Sequence, residues 1–380
     1  MQKSDYRDVW GISQSAIKDF QFKSPKKWKE VWIEKKLDLG KNEDTFVMGS
    51  LIDTMLFTPD LLDKRFYIGE EKLPSKAVAS IIRDYHNSLL RENNELIEIQ
   101  SDLPVPAELL SLTMEHSPKL LECANRYCFK DGDDEKCGWQ SGWKDDTRVN
   151  SLIKHGGDFF ESLKAAAGRK VISHGMNVEA LDLKKVLYTD PEVKDYFVPN
   201  EDNDLLFQLE IYTTYTLVDG ETIPLKGALD IVRFNHVDRT AQIIDFKSSY
   251  SAFNFVQSIR QFGYCDQLSY YDFLLREWMI EACDGKYCDY KVIPPINIVI
   301  DINDRVPYIY EYSWVDIALA ADGNREYLYH LFNTHDHNAR VKKGWKKVLD
   351  EIGWHISTNR WDKPRELYEN KKIKVNLLTW

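Results

Sequence analysis

A chain of 380 residues has room for two or three domains of ordinary size or for one elaborated enzyme domain, and at this length burial of roughly three quarters of the unfolded surface can hold a fold without disulfides or a structural metal. With 43% apolar, 13% aromatic and 29% charged residues it is neither a disordered tail nor a low-complexity polymer. The balance of 50 Lys and Arg against 61 Asp and Glu gives a net charge of −11, which excludes a histone-like coat over DNA but leaves room for a local basic groove.

The opening residues lack the apolar core of a signal peptide, and no later stretch approaches the ~20 apolar residues of a membrane span. A soluble, cytoplasmic protein is therefore expected. The six cysteines, Cys123, Cys128, Cys137, Cys265, Cys283 and Cys288, form no Cys-x-x-Cys pair and have no companion histidines at zinc spacing. They read as reduced thiols, with a four-cysteine iron–sulfur cluster as the sharper alternative.

Residues 12–36 predict two helices. Ser13-Gln14-Ser15 caps the first, which carries Ile17, Phe20 and Phe22, and Ser24-Pro25 restarts the second. In the second, Lys26, Lys27 and Lys29 interleave with Trp28 and Trp32, a mixture suited to phosphate contact with aromatic support; a solvated face over two core tryptophans is the alternative. Over 45–57 the apolar residues Phe46, Val47, Leu51, Ile52, Met55 and Leu56 recur at helical spacing, with Gly49 and Asp53 four apart on one side. Residues 75–167 read as mostly helical and polar, with an acidic loop at 131–135, and 177–187 as a further helix.

The pattern then changes to strands. Residues 205–218, the Asp219-Gly220 turn, 223–234 and 241–247 predict an antiparallel meander of three strands. One long helix is expected over 253–279, then a buried strand over 296–302, and helix from Val315 onward with a basic, tryptophan-containing end.

Within the meander, Glu210, Asp230 and Asp245 each lie on one of three neighbouring strands, and Lys247 follows Asp245 by two residues on the same face. Clustered carboxylates are hard oxygen ligands for Mg²⁺ or Mn²⁺, and a neighbouring lysine positions the attacking water or stabilises charge on a phosphoryl oxygen. Phosphodiester hydrolysis is the expected reaction. An acid-x-Lys pair alone carries little, since it recurs at Asp182–Lys184, Glu192–Lys194 and Glu369–Lys371. Its setting at the end of an apolar strand carries more, because a charge embedded there is costly unless paired or metal-bound. A buried Asp–Lys salt bridge is the structural alternative.

These residues together resemble the PD-(D/E)xK nuclease superfamily and, within it, the phage exonuclease VIII (RecE-type) branch. The resemblance rests on Ile12-Ser13-Gln14-Ser15-Ala16-Ile17-Lys18, Ser24-Pro25, Gly49-Ser50-Leu51-Ile52-Asp53, Leu56-Phe57-Thr58-Pro59, Gly227-x-x-Asp230, Asp245-Phe246-Lys247, Tyr264-x-x-Gln267-x-x-x-Tyr271 and Pro307-Tyr308. It implies an α/β fold with a restriction-endonuclease-like core: a mixed central sheet containing the meander, flanked by helices, with an N-terminal helical region. It also implies a Mg²⁺-dependent deoxyribonuclease in which Asp230, Asp245 and the Phe246 carbonyl hold the metal, Lys247 activates water and Glu210 assists. Gln267 and Tyr271 would face the site from the helix behind the sheet. Where the branch usually carries histidine, this chain has Asp53, still an oxygen ligand and expected to bind metal with a shifted preference.

DNA contact is expected from local charge at Lys26, Lys27 and Lys29, and at Arg340, Lys342, Lys343, Lys346 and Lys347 around Trp345; a solubilising tail is the alternative for the second cluster. The expected organisation is a mainly helical region over 1–165 that contributes Asp53, a nuclease core over 166–335 and a basic tail over 336–380, in one compact domain overall. The resemblance implies a homo-oligomeric ring around duplex DNA that degrades one strand of linear double-stranded DNA from its ends, 5′ to 3′, with a single-strand annealing protein as partner in recombination. Two rival readings are a catalytically silent DNA-end-binding or scaffold protein and a Cas4-like repair nuclease, the latter disfavoured by the lack of a four-cysteine cluster.

Overall fold

The computed structural model describes residues 6, 9–36, 47–69, 73–97, 112–131, 134–281, 285–323 and 343–371. In chain order its regular elements are α1 (Gln14–Phe22), α2 (Pro25–Trp32), α3 (Val47–Phe57), α4 (Leu62–Arg65), β1 (Phe66–Ile68), α5 (Lys76–Ile97), α6 (Ser117–Arg126), β2 (Cys128–Asp131), β3 (Asp134–Cys137), α7 (Asp145–Ala166), β4 (Lys170–Ile172) and α8 (His174–Thr189). They continue with β5 (Asn203–Thr216), β6 (Thr222–Asn235), β7 (Thr240–Ser249), α9 (Val256–Phe262), α10 (Tyr264–Glu281), β8 (Lys291–Val292), β9 (Ile296–Asp301), β10 (Pro307–Glu311), α11 (Trp314–Asp322), α12 (Trp345–Thr358) and α13 (Arg365–Asn370).

The chain forms two units, one of Met1–Glu43 with Lys185–Trp380 and the other of Asp44–Lys184. These bounds differ from the expected divisions at 165 and 335. The first two helices and the C-terminal helices share a hydrophobic core with the sheet, which hydrophobic periodicity along the chain does not reveal.

In the first unit the sheet runs β10-β9-β7-β6-β5, with β8 beside β7. The meander forms as expected, β5 against β6 and β6 against β7, both antiparallel; β9 joins β7 in parallel through the connection that contains α10. The class is mixed α/β with a mixed sheet. Helix α10 lies over it: Leu268, Tyr270, Leu274 and Leu275 share one buried cluster with Ile211, Leu225 and Leu229 of the sheet and with Trp345 and Ile352 of α12. The fit is close at Gly227, where a Cβ would run into Leu274 Cδ1. The expected single helix over 253–279 is two helices, because Gly263 takes a left-handed φ of 67° and caps α9 before α10 starts.

The expected C-terminal tail is α12 and α13 where it is described, with Trp345 only 2% exposed. Trp28 is likewise buried: its Nε1 donates to the Ala16 carbonyl at 2.7 Å and its ring stacks on Trp361. Helix starts follow the sequence, since Ser13 Oγ accepts from the Ala16 N–H and Ser24 Oγ from the Lys27 N–H ahead of Pro25.

In the second unit α5, α6 and α7 bury Ile81, Ile82, Tyr85, Leu120, Leu152 and Phe160 in one cluster, and β1 pairs with β4 in parallel. Of the expected acidic loop, Asp131, Asp134 and Glu135 belong to β2 and β3 while 132 and 133 lie outside the described residues; in this antiparallel pair Cys128 and Cys137 face each other and form a disulfide. That corrects the reading of all six cysteines as thiols. A hairpin register brings together two cysteines nine residues apart, which no Cys-x-x-Cys spacing signals. No helix among the described residues is long and apolar enough to cross a membrane.

Candidate active site

Asn297 and Asp245 are paired in the β9–β7 register, and extending the last β6–β7 pair, Ile231 with Ile244, by one residue sets Asp230 opposite Asp245. The β5–β6 register sets Gln208 opposite Asp230 between the pairs Phe207–Ile231 and Leu209–Leu229. Four polar residues thus form a row across four strands.

The ladder is broken where this row crosses β5 and β6. Gln208 has a left-handed φ of 49°, and the residues that face the core change parity there: Ile223, Leu225 and Leu229 before the break on β6, Val232 and Phe234 after it. Backbone groups released by such a break need other partners. Asp230 provides one, its Oδ2 accepting the Phe246 N–H at 3.1 Å while its Oδ1 accepts from Gln208 Nε2 at 3.1 Å.

Asp245 is 1% exposed. Its carboxylate takes Gln267 Nε2 at 3.0 Å, Asn297 Nδ2 at 2.7 Å and the Lys247 ammonium at 2.5 Å. Lys247 Nζ also donates to the Phe246 carbonyl at 3.0 Å and stands 5.3 Å from the centre of the Tyr264 ring. Asn297 is itself held, donating to the Asp245 carbonyl at 3.0 Å and accepting from the Tyr312 hydroxyl. Gln267 and Tyr271 lie one turn apart on α10, and Gln267 Nε2 is 3.1 Å from the Tyr271 oxygen. Burial, reinforced by the carboxylates of Asp245 and Asp230, raises the Tyr271 hydroxyl far above its ordinary pKa, so it is a neutral phenol at any working pH.

The first unit thus brings together Asp230, Asp245, Phe246, Lys247, Gln267 and Tyr271. Glu210 stands apart: it pairs with Ala228 in the register and accepts from the Tyr212 hydroxyl at 3.2 Å. By strand alternation it points away from the side on which Leu209 and Ile211 pack, so three meander acids do not converge as expected. Asp53 is an exposed residue of α3, in the other unit.

Lys26 and Lys27 are exposed on α2, whereas Lys29 pairs with Glu34 at 3.4 Å and reaches Asn359. Trp28 and Trp345 are core residues and offer no ring to a nucleobase. Lys343 pairs with Glu351, Lys346 with Asp322, and Lys347 donates to the Gly323 carbonyl. Arg340 and Lys342 lie outside the described residues.

The donors gathered at Asp230, Asp245 and the Phe246 carbonyl are all hard oxygens. Such a set suits Mg²⁺ or Mn²⁺, which take one or two protein carboxylates and complete their shell with water and phosphate oxygens. Among the described residues no three His, Cys, Asp or Glu side chains gather as a metal-binding group.

Sequence reasoning passed over Gln208, Asn297 and Tyr312. Asn297 left a signal, an amide inside an otherwise apolar strand, because a buried amide needs partners and so marks a polar neighbour. No known family model matches the chain, and no curated protein matches it.

Proposed function

We propose that the chain is a metal-dependent exodeoxyribonuclease that degrades one strand of linear double-stranded DNA from its ends, 5′ to 3′, in single-strand-annealing recombination. The observation that carries this reading is the Asp245-Phe246-Lys247 strand end: a buried carboxylate, a carbonyl and an ammonium meet there, with Asp230 joined to the same backbone by the Phe246 N–H. A buried ion pair contributes little to stability once desolvation is counted, so its retention inside an apolar sheet favours a chemical role.

In this reading Asp230, Asp245 and the Phe246 carbonyl hold Mg²⁺. When bound there, the cation lowers the pKa of a coordinated water and offsets charge on the phosphoryl oxygens. Lys247 would orient the attacking water and face the negative charge that develops on the phosphoryl oxygens. Gln267 and Asn297 fix the Asp245 carboxylate from two sides, and the neutral Tyr271 keeps the Gln267 amide in place. The wider expectations, a homo-oligomeric ring and an annealing-protein partner, belong to the same proposal and rest on the sequence resemblance.

One observation favours a second reading. Both Asp245 oxygens are engaged inside the protein, as they would be in a silent DNA-end-binding protein with a structural ion pair. Digestion of linear against covalently closed circular duplex in Mg²⁺ separates the two. Nucleotides released from the linear form alone are expected; binding of ends without release would favour the silent protein.

A further inference from the structure

The segment that follows Lys247 is unlike the rest of the chain. Although 61 of 380 residues are acidic, none occurs over 246–265, a stretch that contains Lys247, Arg260 and six aromatic residues. Two of those, Tyr250 and Phe253, are 65% and 68% exposed. A single exposed aromatic is unremarkable on a protein surface, but two within four residues, in a run of sequence that holds two cations and no carboxylate, form a feature with a direction.

The backbone beneath them is held firmly. Ala252, between the two rings, is fully buried; its N–H donates to the Asp301 carboxylate at 2.7 Å and its carbonyl accepts from the Tyr310 hydroxyl at 2.5 Å. Asn303 Nδ2 donates to the Tyr250 carbonyl at 3.0 Å, and the Ser251 N–H to Ser249 Oγ at 3.1 Å. Behind the loop Phe255 stacks on Tyr264 at 5.3 Å, the ring that also receives Lys247. The stacked pair of Phe255 and Tyr264 thus links the Lys247 ammonium to the segment that displays Tyr250 and Phe253. A fixed backbone that leaves two large rings in water is prepared for a flat partner at little ordering cost.

We propose that Tyr250 and Phe253 form a stacking platform for the nucleobases of a single DNA strand whose phosphates are drawn to Lys247 and Arg260. The inference rests on the nuclease reading for the place of the strand and adds the surface that grips its bases. Aromatic rings and cations within one run of sequence without acids suit a polyanion with exposed π-faces, and stacking of this kind tolerates any sequence.

The test is equilibrium binding of a labelled oligothymidylate and of an abasic strand of the same length, in Ca²⁺ to prevent cleavage, to the full chain, to Tyr250→Ala/Phe253→Ala and to Tyr250→Phe/Phe253→Trp. Both positions are exposed, so the variants are expected to melt like the parent. The native chain should prefer the strand with bases by about five-fold or more for each base stacked. The double alanine variant should bind both strands alike and the aromatic variant should restore the preference. An alanine variant that still prefers bases, a native chain that does not distinguish the strands, or a change only in self-association would overturn the platform. Failure of the nuclease reading looks different: no nucleotide release in Mg²⁺ while the base preference stays sensitive to Tyr250 and Phe253.

Discussion

The Asp230 carboxylate accepts the backbone N–H of Phe246 at 3.1 Å, so one acid tethers the strand that carries the other acid and the lysine. This explains how two carboxylates stay side by side where the β5–β6 ladder is broken. It also separates the structural part of Asp230 from its charge. In Asp230→Asn the amide oxygen can still accept the Phe246 N–H, and Gln208 can turn its own amide to suit, so a stability loss of only about 1 kcal/mol is expected. Mg²⁺-dependent cleavage should fall at least ~10–100-fold. Thermal denaturation and nucleotide release, measured on the same preparation, check both; a variant with undiminished cleavage would remove Asp230 from the metal set.

Asn297 is fully buried and bonded to Asp245 twice and to Tyr312 once. Asn297→Ala leaves the Asp245 oxygens and the Tyr312 hydroxyl short of a partner in a dry place, at a cost of about 2–4 kcal/mol. Tyr312→Phe removes one hydroxyl and should cost about 1 kcal/mol. Urea denaturation of the two variants should give that order, and a reversed order would contradict the network.

His355 is fully buried between the rings of Phe20, Trp354 and Trp361; its Nδ1 meets the Arg360 carbonyl, and its Nε2 has no hydrogen-bond partner among the described residues. Burial lowers its pKa below the ordinary 6.5. The unfolded chain therefore binds the proton first as the pH falls, and the stability present above about pH 6.5 declines below it, towards the lowered value. His355→Phe keeps an aromatic ring there and cannot titrate. Its melting temperature should change less between pH 7 and 5 than that of the parent, and parallel profiles would rule out His355 as a source of acid sensitivity.

The hairpin disulfide gives a covalent prediction. Under denaturing conditions without reductant, peptides that contain Cys128 and Cys137 should escape alkylation and be recovered joined, while the Cys123, Cys265 and Cys288 thiols react. Reductant should free the pair. Full labelling of Cys128 before reduction would show that the two thiols remain apart.

Features carried by short-range patterns were legible in the sequence: the serine caps at Ser13 and Ser24, the alternation of the meander, and the approach of Lys247 to Asp245, which a two-residue spacing on one strand dictates. Gln267 and Tyr271 were legible through the resemblance, and α10 puts both beside Asp245. Features that depend on which strands become neighbours were not. Asn297 meets Asp245 through a parallel pairing that crosses the whole of α10, and the left-handed Gln208 reverses the inward face of two strands. Glu210 was placed at the site because its strand neighbours those of Asp230 and Asp245, and adjacency of strands does not fix which side of the sheet a residue faces. Trp28 and Trp345 look alike in sequence whether they serve a core or a ligand, and tertiary packing made both of them core.

The most direct test of the central claim is the rate of nucleotide release from linear duplex in Mg²⁺ by the native chain and by Lys247→Ala. Release by the native chain, abolished by a chelator and reduced at least ~100-fold in the variant while end binding is retained, is the predicted result. Release that persists undiminished without the Lys247 ammonium would contradict it.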